Sequence, residues 1–279
     1  MQFTKVHGQG NDFVLVDGFQ EHITDYPQAA IKVCDRHFGI GADGLVLILP
    51  SEKADFKMRI FNSDGSEAEM CGNVTRCVAR YVYEHGLTDK TKITLETLAG
   101  FIKPELIFDG DVVKTVRVDM GKPKLQRGLI PMTGNSEEQA VNIPLEVAGN
   151  IYFGTCVSMG NPHCVIFVED MGKIDLAGIG PFIETHSFFP KKTNVEFVQV
   201  LNDQEMQMRV WERGAGITMA CGTGASATLA AAVLNGKTGR KATIHLDGGD
   251  LEVEWGLDDH IYMSGPAVEV FHGEYPLNS

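Results

Sequence analysis

The chain has 279 residues, of which 43% are hydrophobic and 22% charged, a composition typical of a globular protein with an apolar core. Its formal net charge of -13 argues against extended binding to nucleic acid or to an anionic membrane surface. The N-terminus lacks an apolar signal segment, and the longest aliphatic run, 45–49, is too short to span a bilayer. We therefore expect a cytoplasmic protein with reduced thiols and no membrane or nucleic-acid partner.

Short apolar strands alternate with turns along the chain, and helical patterns are few. The predicted strands, each bounded by turn residues, are 13–17, 44–49, 57–61, 92–97, 112–119, 163–168, 196–201, 205–212, 243–246 and 251–255. The predicted helices, with apolar residues at helical spacing, are 26–37, 73–85, 175–185 and 224–235. Many strands with few helices indicate an α+β protein.

Several short motifs recur at an offset of 150 residues. The matching segments are Gly10-Asn11 with Gly160-Asn161, Met58-Arg59 with Met208-Arg209, Cys71-Gly72 with Cys221-Gly222, and Gly86 with Gly236. Further along, Ala99-Gly100 matches Gly248-Gly249 at an offset of 149, so the register drifts there. Self-similarity at a fixed period is typical of repeated structural units.

The repeat predicts two similar halves, residues 1–117 with 264–279 and residues 118–263. We expect a pseudo-twofold axis between them, which would bring equivalent residues together across one cleft. The helix that follows Cys221 is apolar or small nearly all round, so it should be deeply buried. Each half is therefore predicted to be a mostly antiparallel sheet wrapped around a central helix.

Two of the six cysteines, Cys71 and Cys221, begin equivalent helices in the two halves. A helix N-terminus offers unpaired N–H groups and a partial positive charge, so we expect each thiol to have a pKa below its ordinary value of about 8.5. The same N–H groups bind carboxylates, and the glycine after each cysteine permits close approach. The four other cysteines are expected to be buried and apolar, and because there is no C-x-x-C pair, no metal site is predicted.

Two thiols facing one bound amino acid would invert the configuration at its α-carbon. One thiolate removes the α-proton from one face, and the opposite thiol delivers a proton to the other. This pattern favours a racemase or epimerase. Two alternatives stay open at this point: a duplicated pair of buried cysteines without chemistry, and a disulfide between them.

Seven motifs resemble those of the diaminopimelate epimerases and occur in the same order as in that family. They are GQGNDF at 8–13, FNSDGS at 61–66, MCGN at 70–73, GNPH at 160–163, TNVE at 193–196, WERG at 211–214 and ACGTG at 220–224. The resemblance implies interconversion of LL- and meso-2,6-diaminopimelate for lysine and peptidoglycan precursor synthesis, without pyridoxal phosphate. No metal or nicotinamide requirement is expected either, since there is no P-loop and no G-x-G-x-x-G motif that follows a strand and opens a helix. The resemblance implies a small diamino-dicarboxylate as substrate and is compatible with a homodimer.

The resemblance also implies roles for individual residues. Cys71 and Cys221 resemble the catalytic pair, and His163 and Glu212 the residues that tune the thiols. The other substrate-binding candidates are Asn11, Asn62, Gly72, Asn73, Asn161, Asn194, Glu212, Arg213, Gly222 and Thr223. One departure is visible, since many members carry Gln where this chain has Gly44.

The repeat adds a hypothesis about specificity. Positions identical in both halves should serve the symmetric proton transfer, and positions that differ should bind the asymmetric remainder of the substrate. Arg213 suits a distal carboxylate, and Glu212 a distal ammonium. The alternatives are a proline or hydroxyproline racemase of the same architecture, and a non-catalytic module that binds amino acids.

Overall fold

The computed structural model describes residues 1–277, so the last two positions of the predicted first half, 278 and 279, lie outside the described residues. The chain divides into two compact units, Met1–Asp119 with Ser264–Ser279, and Met120–Met263. We call them unit 1 and unit 2. None of the helices in the described part of the chain has the length and apolar character that crossing a membrane requires.

Strands outnumber helices throughout the described residues. Up to Asp119 the elements are β1 (Gln2–Gly8), β2 (Asn11–Asp17), α1 (Tyr26–Cys34), β3 (Gly44–Leu49), β4 (Phe56–Asn62), β5 (Glu67–Ala68), α2 (Gly72–Glu84), β6 (Leu95–Thr97), β7 (Gly100–Ile102), β8 (Glu105–Asp109) and β9 (Val112–Asp119). They continue with β10 (Ile143–Val147), β11 (Asn150–Ser158), β12 (Pro162–Val168), α3 (Leu176–Glu184), β13 (Asn194–Val200), β14 (Glu205–Glu212), β15 (Gly216–Thr218), α4 (Gly222–Leu234), β16 (Lys241–Leu246), β17 (Gly249–Trp255), β18 (Ile261–Gly265) and β19 (Val268–Glu274). Two short 3-10 helices cover Arg127–Leu129 and Met171–Lys173.

The two units share one strand order. Unit 1 has the order β19-β1-β2-β3-β4-β6-β7 with β5 on β4, and unit 2 has β10-β11-β12-β13-β14-β16-β17 with β15 on β14. The pairs β2–β3, β4–β6, β12–β13 and β14–β16 are parallel, while the other neighbours in these two orders are antiparallel. The prediction of an α+β fold built from mostly antiparallel sheets is therefore confirmed.

The sequence repeat is also a repeat of hydrogen-bond register. Phe13 pairs with Gly44 in unit 1, and the residues 150 positions later, His163 and Asn194, pair in unit 2. The register differs between the units where β6 and β16 join their sheets. In unit 1, Phe56 of β4 pairs with Leu95 of β6. In unit 2 the equivalent of Phe56, Met206 of β14, pairs with Ile244 of β16 rather than with position 245. The offset on β16 is therefore 149, the same drift that the sequence shows between Ala99-Gly100 and Gly248-Gly249.

A helix lies against the sheet at the centre of each unit. Helix α4 contacts β11, β12, β13, β14, β16 and β17, and helix α2 contacts β1, β2, β8, β9 and β19. The small side chains of α4 let strands approach on several sides, and its residues from Gly224 to Ala232 are buried. The sheets thus hold the first turns of α2 and α4, which carry the two candidate cysteines, in rigid surroundings.

The predicted elements differ from the observed ones mainly at ends and edges. Helix α1 stops at Cys34 rather than at position 37, because Asp35 Oδ1 accepts hydrogen bonds from the backbone N–H groups of His37 at 2.7 Å and Phe38 at 2.8 Å. The predicted strand 92–97 is reduced to β6. The sequence patterns missed β1, β5, β7, β8, β10, β11, β15, β18 and β19.

Candidate active site

In unit 1, three polar residues meet at the start of helix α2. Cys71 is the N-cap residue of α2 and is partly buried. Asn11, the first residue of β2, accepts hydrogen bonds at its Oδ1 from Cys71 Sγ at 3.7 Å and from Asn73 Nδ2 at 3.1 Å. The hairpin of β1 and β2 and the first turn of α2 thus bring together three of the predicted site residues.

A buried arginine, which the sequence analysis did not identify, supports this turn. Arg76 is fully buried and donates to Asn73 Oδ1 at 2.9 Å, to the Pro266 carbonyl at 3.1 Å and to the side chain of Gln9. Burial lowers the pKa of its guanidinium, and the nearby thiols of Cys77 and Cys71 act in the opposite direction. A positive group therefore lies beneath the first turn of α2.

Carboxylates lie on the other side of Asn11. Its Nδ2 donates to Asp43 Oδ2 at 2.7 Å, and Arg36 bridges Asp43 and Asp12 with contacts of 2.8 and 2.7 Å. Although burial alone would raise it, hydrogen bonds from Arg36 and Lys5 bring the pKa of Asp12 down to about 2. Asn11 thus lies between the α2 turn and an ion-pair cluster that the motifs alone did not reveal.

In unit 2, Cys221 occupies the same position on helix α4 but is buried. Its Sγ accepts a hydrogen bond from the Gly224 backbone N–H at 3.3 Å and lies 3.5 Å from Thr223 Oγ1. Asn161 Nδ2 donates to Thr223 Oγ1 at 3.3 Å. The repeat thus places an asparagine beside each cysteine-capped helix, with Thr223 where unit 1 has Asn73.

A buried histidine–glutamate pair supports the unit 2 turn. His163 Nδ1 lies 2.6 Å from Glu196 Oε1, and its Nε2 lies 3.1 Å from Asn161 Oδ1. Both side chains of the pair are fully buried. The motifs predicted a role for His163 but not for Glu196, although an acidic residue between Val195 and Phe197 in an apolar strand was an available signal.

The expectation of a lowered thiol pKa is wrong for Cys221. Burial raises the pKa of this thiol well above 9, and the carboxylates of Glu212 and Glu196 add to that effect. The Thr223 hydroxyl and the Gly224 N–H lower it, as a helix N-terminus should, but loss of solvent outweighs them. Burial likewise raises the pKa of Glu212, whose Oε1 accepts from Thr218 Oγ1 at 2.5 Å.

Three further predicted substrate contacts lie at the ends of β4, β13 and β14. Asn194 is buried, donating to the Pro162 carbonyl at 2.7 Å and accepting from the Arg213 backbone N–H at 2.9 Å. The Arg213 side chain is exposed and donates to the Lys191 carbonyl at 3.2 Å. Asn62 is exposed and donates to Ser66 Oγ at 2.9 Å. Asn194 therefore holds the backbone that carries Arg213.

Gly222 and Gly44 are closely surrounded. A Cβ on Gly222 would lie 2.9 Å from Met263 Sδ, and a Cβ on Gly44 would lie 2.7 Å from the Phe61 carbonyl oxygen. The backbone at Gly44 therefore leaves no room for the glutamine that the motif comparison expects there. Among residues 1–277, no three His, Cys, Asp or Glu side chains are arranged to hold a metal ion.

Comparisons with known proteins place the chain in one family. Residues 3–126 and 155–270 match the family model of diaminopimelate epimerase. A relative from Pelotomaculum thermopropionicum with that name is 60% identical over 281 residues, covering 100% of both chains. A solved structure of a phenazine biosynthesis protein, PhzF family, from Bacillus anthracis has a TM-score of 0.72 at 16% identity and covers 99% of this chain and 98% of that one. A probable proline racemase from Agrobacterium radiobacter has a TM-score of 0.70 at 16% identity, covering 99% and 93%, and both structures show a shared fold.

Proposed function

Because the chain belongs to the diaminopimelate epimerase family, we propose that it interconverts LL- and meso-2,6-diaminopimelate without a cofactor. The observation that carries the proposal is the duplicated helix start: Cys71 and Cys221 cap α2 and α4 at equivalent positions, each beside an asparagine. Full-length identity of 60% to a diaminopimelate epimerase supports this substrate over the proline derivatives, since the proline racemase shares only 16%.

In this proposal the two cysteines act on opposite faces of one α-carbon. One thiolate removes the proton from one face while the other thiol supplies a proton to the opposite face, so the groups need different protonation states. Burial and the carboxylates of Glu212 and Glu196 favour protonated Cys221, whereas the turn after Cys71 lies over the buried cation Arg76. These surroundings support a starting state in which Cys221 is protonated and donates a proton, while Cys71 is the thiolate and acts as the base.

The remaining site residues have supporting roles in this proposal. The backbone N–H groups at Gly72, Asn73, Gly222 and Thr223 bind the carboxylate next to the reacting carbon. Asn11, Asn62, Asn161 and Asn194 bind or orient the substrate, and Arg213 binds its distal carboxylate. Glu212 tunes Cys221 directly, and His163 acts through Glu196 and Asn161, which it contacts.

We place this reaction in the cytoplasm, in lysine and peptidoglycan precursor synthesis, as the family relationship supports. A homodimer is part of the same proposal. Analytical ultracentrifugation of the purified protein tests it, with a single species of twice the mass of the 279-residue chain as the expected result.

Solvent-exchange measurements test the activity. LL-diaminopimelate incubated with the enzyme in D₂O should gain α-deuterium as the meso isomer forms, and Cys71→Ala and Cys221→Ala should each lower the rate at least about 100-fold. Binding of diaminopimelate without exchange would identify a binding module. Exchange on proline alone would identify a proline racemase, and full activity in either cysteine variant would overturn the two-thiol mechanism.

A substrate lacking the distal carboxylate tests the role of Arg213. Arg213→Ala should weaken binding of diaminopimelate far more than binding of that shorter substrate, because the guanidinium forms two hydrogen bonds with a carboxylate. Equal loss with both ligands would show that Arg213 acts elsewhere.

A further inference from the structure

Four side chains form a hydrogen-bonded chain through unit 1. Arg76 donates to Asn73 Oδ1 at 2.9 Å, Asn73 Nδ2 donates to Asn11 Oδ1 at 3.1 Å, and Asn11 Nδ2 donates to Asp43 Oδ2 at 2.7 Å. Cys71 Sγ lies 3.7 Å from Asn11 Oδ1, beside the middle of this chain. The reacting thiol that we assign to unit 1 thus contacts one specific atom of an ordered series.

The chemistry of the two ends determines the direction of the whole series. A guanidinium has only donors and an ionised carboxylate has only acceptors. Asn73 must therefore turn its oxygen toward Arg76, and Asn11 must turn its NH₂ group toward Asp43. With both amides fixed, the oxygen of Asn11 is the atom that faces Cys71.

Unit 2 lacks both charged ends. The residues 150 positions after Asp43 and Arg76 are Thr193 and Ser226, which are neutral. There Asn161 turns its Nδ2 toward Thr223 and its Oδ1 toward His163. The two asparagines of the repeat therefore present opposite ends to the cysteine-capped turns.

We propose that Asp43 is a positioning residue that holds the carbonyl oxygen of Asn11 toward Cys71. In the epimerisation proposed above, on which this role rests, the oxygen receives the S–H hydrogen once Cys71 has taken the α-proton. An acceptor at this place stabilises the protonated thiol and disfavours the thiolate, so it makes Cys71 a stronger base. Arg76 fixes the opposite end of the series through Asn73.

The substitution Asp43→Asn weakens the constraint at one end of the series with little change in shape. The Asp43 side chain is 43% exposed, so the variant should fold. An amide at position 43 can accept or donate, so the oxygen of Asn11 is then held only by Asn73 Nδ2. Asn11 should therefore turn its NH₂ group toward Cys71 more often and stabilise the thiolate. We expect Cys71 to react with iodoacetamide roughly two- to tenfold faster at neutral pH, the range that one hydrogen bond supplies, and kcat to fall by a similar factor.

Loss of the Asp43 charge would by itself favour a nearby thiolate, so a second genetic background is needed to separate this charge effect from the orientation of Asn11. If Asp43 acts through Asn11, Asp43→Asn should have no further effect on the alkylation rate in an Asn11→Ala background. Equal acceleration in both backgrounds, or no acceleration in either, would overturn the proposal. Arg36→Gln is a matched control, since Arg36 contacts Asp43 but not Asn11, and it should not accelerate the reaction.

The alkylation rate of Cys71 is read by peptide mapping and requires no turnover. It therefore tests the orientation of Asn11 even if the enzyme acts on another substrate. A changed alkylation rate with no α-proton exchange on any amino acid would leave the positioning of Cys71 standing and refute the proposed function. Normal epimerisation with an unchanged alkylation rate would support the proposed function and refute the positioning role of Asp43.

Discussion

Among individual residues, Glu212 has the clearest expected effect on a thiol. Its carboxylate raises the pKa of Cys221 in addition to the larger effect of burial. Glu212→Gln keeps an acceptor for the Thr218 hydroxyl and removes the charge, so the pKa of Cys221 should fall. The pH dependence of Cys221 alkylation should move to lower pH by a measurable amount.

A matched variant lies at the other end of the same strand. Glu205 begins β14 and Glu212 ends it, so Glu205→Gln removes an equal charge far along the strand from Cys221. Its alkylation profile should match that of the unmodified protein. If both variants shift the profile equally, overall charge rather than the local carboxylate controls the thiol.

The cysteine pair could be predicted at this scale because the repeat is visible in the sequence. The partners of the buried charged residues could not. Arg76 contacts Gln9, which is 67 positions away, and Glu196 contacts His163, which is 33 positions away. Whether a charged residue is solvated or buried depends on such distant partners, which a local sequence pattern does not reveal. For the same reason the high pKa of Cys221 could not be inferred from its place at a helix start.

At the scale of elements, helix α3 packs on strand β14 through a glycine. A Cβ on Gly180 would lie 2.6 Å from Trp211 Cγ, and the Trp211 indole N–H is fixed by a hydrogen bond of 2.8 Å to Glu184 Oε2. Gly180→Ala should therefore lower the free energy of unfolding by about 1–3 kcal/mol through overpacking. Chemical denaturation measures it. Gly239→Ala, whose Cβ would meet no atom within 4 Å, should have little effect, and equal midpoints for the two variants would contradict the close packing.

The β1–β2 hairpin should lose stability in acid. The pKa of Asp12 is about 2, below its ordinary value of 3.8, so its ion pairs stabilise the folded chain above pH 4 and are lost as the pH falls through 2. Asp12→Asn should lower the free energy of unfolding by about 2 kcal/mol at neutral pH. The difference in unfolding free energy between the variant and the unmodified protein, measured by thermal unfolding, should become smaller as the pH falls from 4 toward 2. A gap that is constant with pH would show that Asp12 acts by shape alone.

The strands that were missed show what a local pattern lacks. In β1 the lysine at position 5 is buried, because it pairs with Asp12 at 2.6 Å, and this breaks the alternation of polar and apolar residues. In β19 the residues Val270 and Phe271 are exposed, so this edge strand has no consistent buried face. Strand β3, which lies inside its sheet, is a continuous apolar run and could be predicted.

At the scale of the whole molecule, unit 1 is assembled from two distant parts of the chain. Strand β19 pairs with β1 from Gln2–Glu274 to His7–Val268, and β1 has β2 on its other side. A chain that ends at Ala267 would leave one edge of β1 without its partner. We expect fast amide hydrogen exchange in β1, while β12 and β13 of unit 2 keep their protection.

The unmodified protein gives the reference for each amide in that experiment. Equal loss of protection in the two units would show that they unfold as one cooperative body. Unchanged protection of β1 would show that its pairing with β2 alone is sufficient.

The same arrangement orders the events during synthesis. Residues 120–263 form a contiguous unit, and all of them are synthesised before strand β19. Unit 1 is translated first but is completed last, since β1 waits for a strand more than 250 residues downstream. At about 5–20 residues per second, this open edge persists for roughly 13 seconds or longer. One edge of β1 is therefore without its partner for most of translation, and codon changes that slow elongation should raise aggregation through this strand rather than through unit 2.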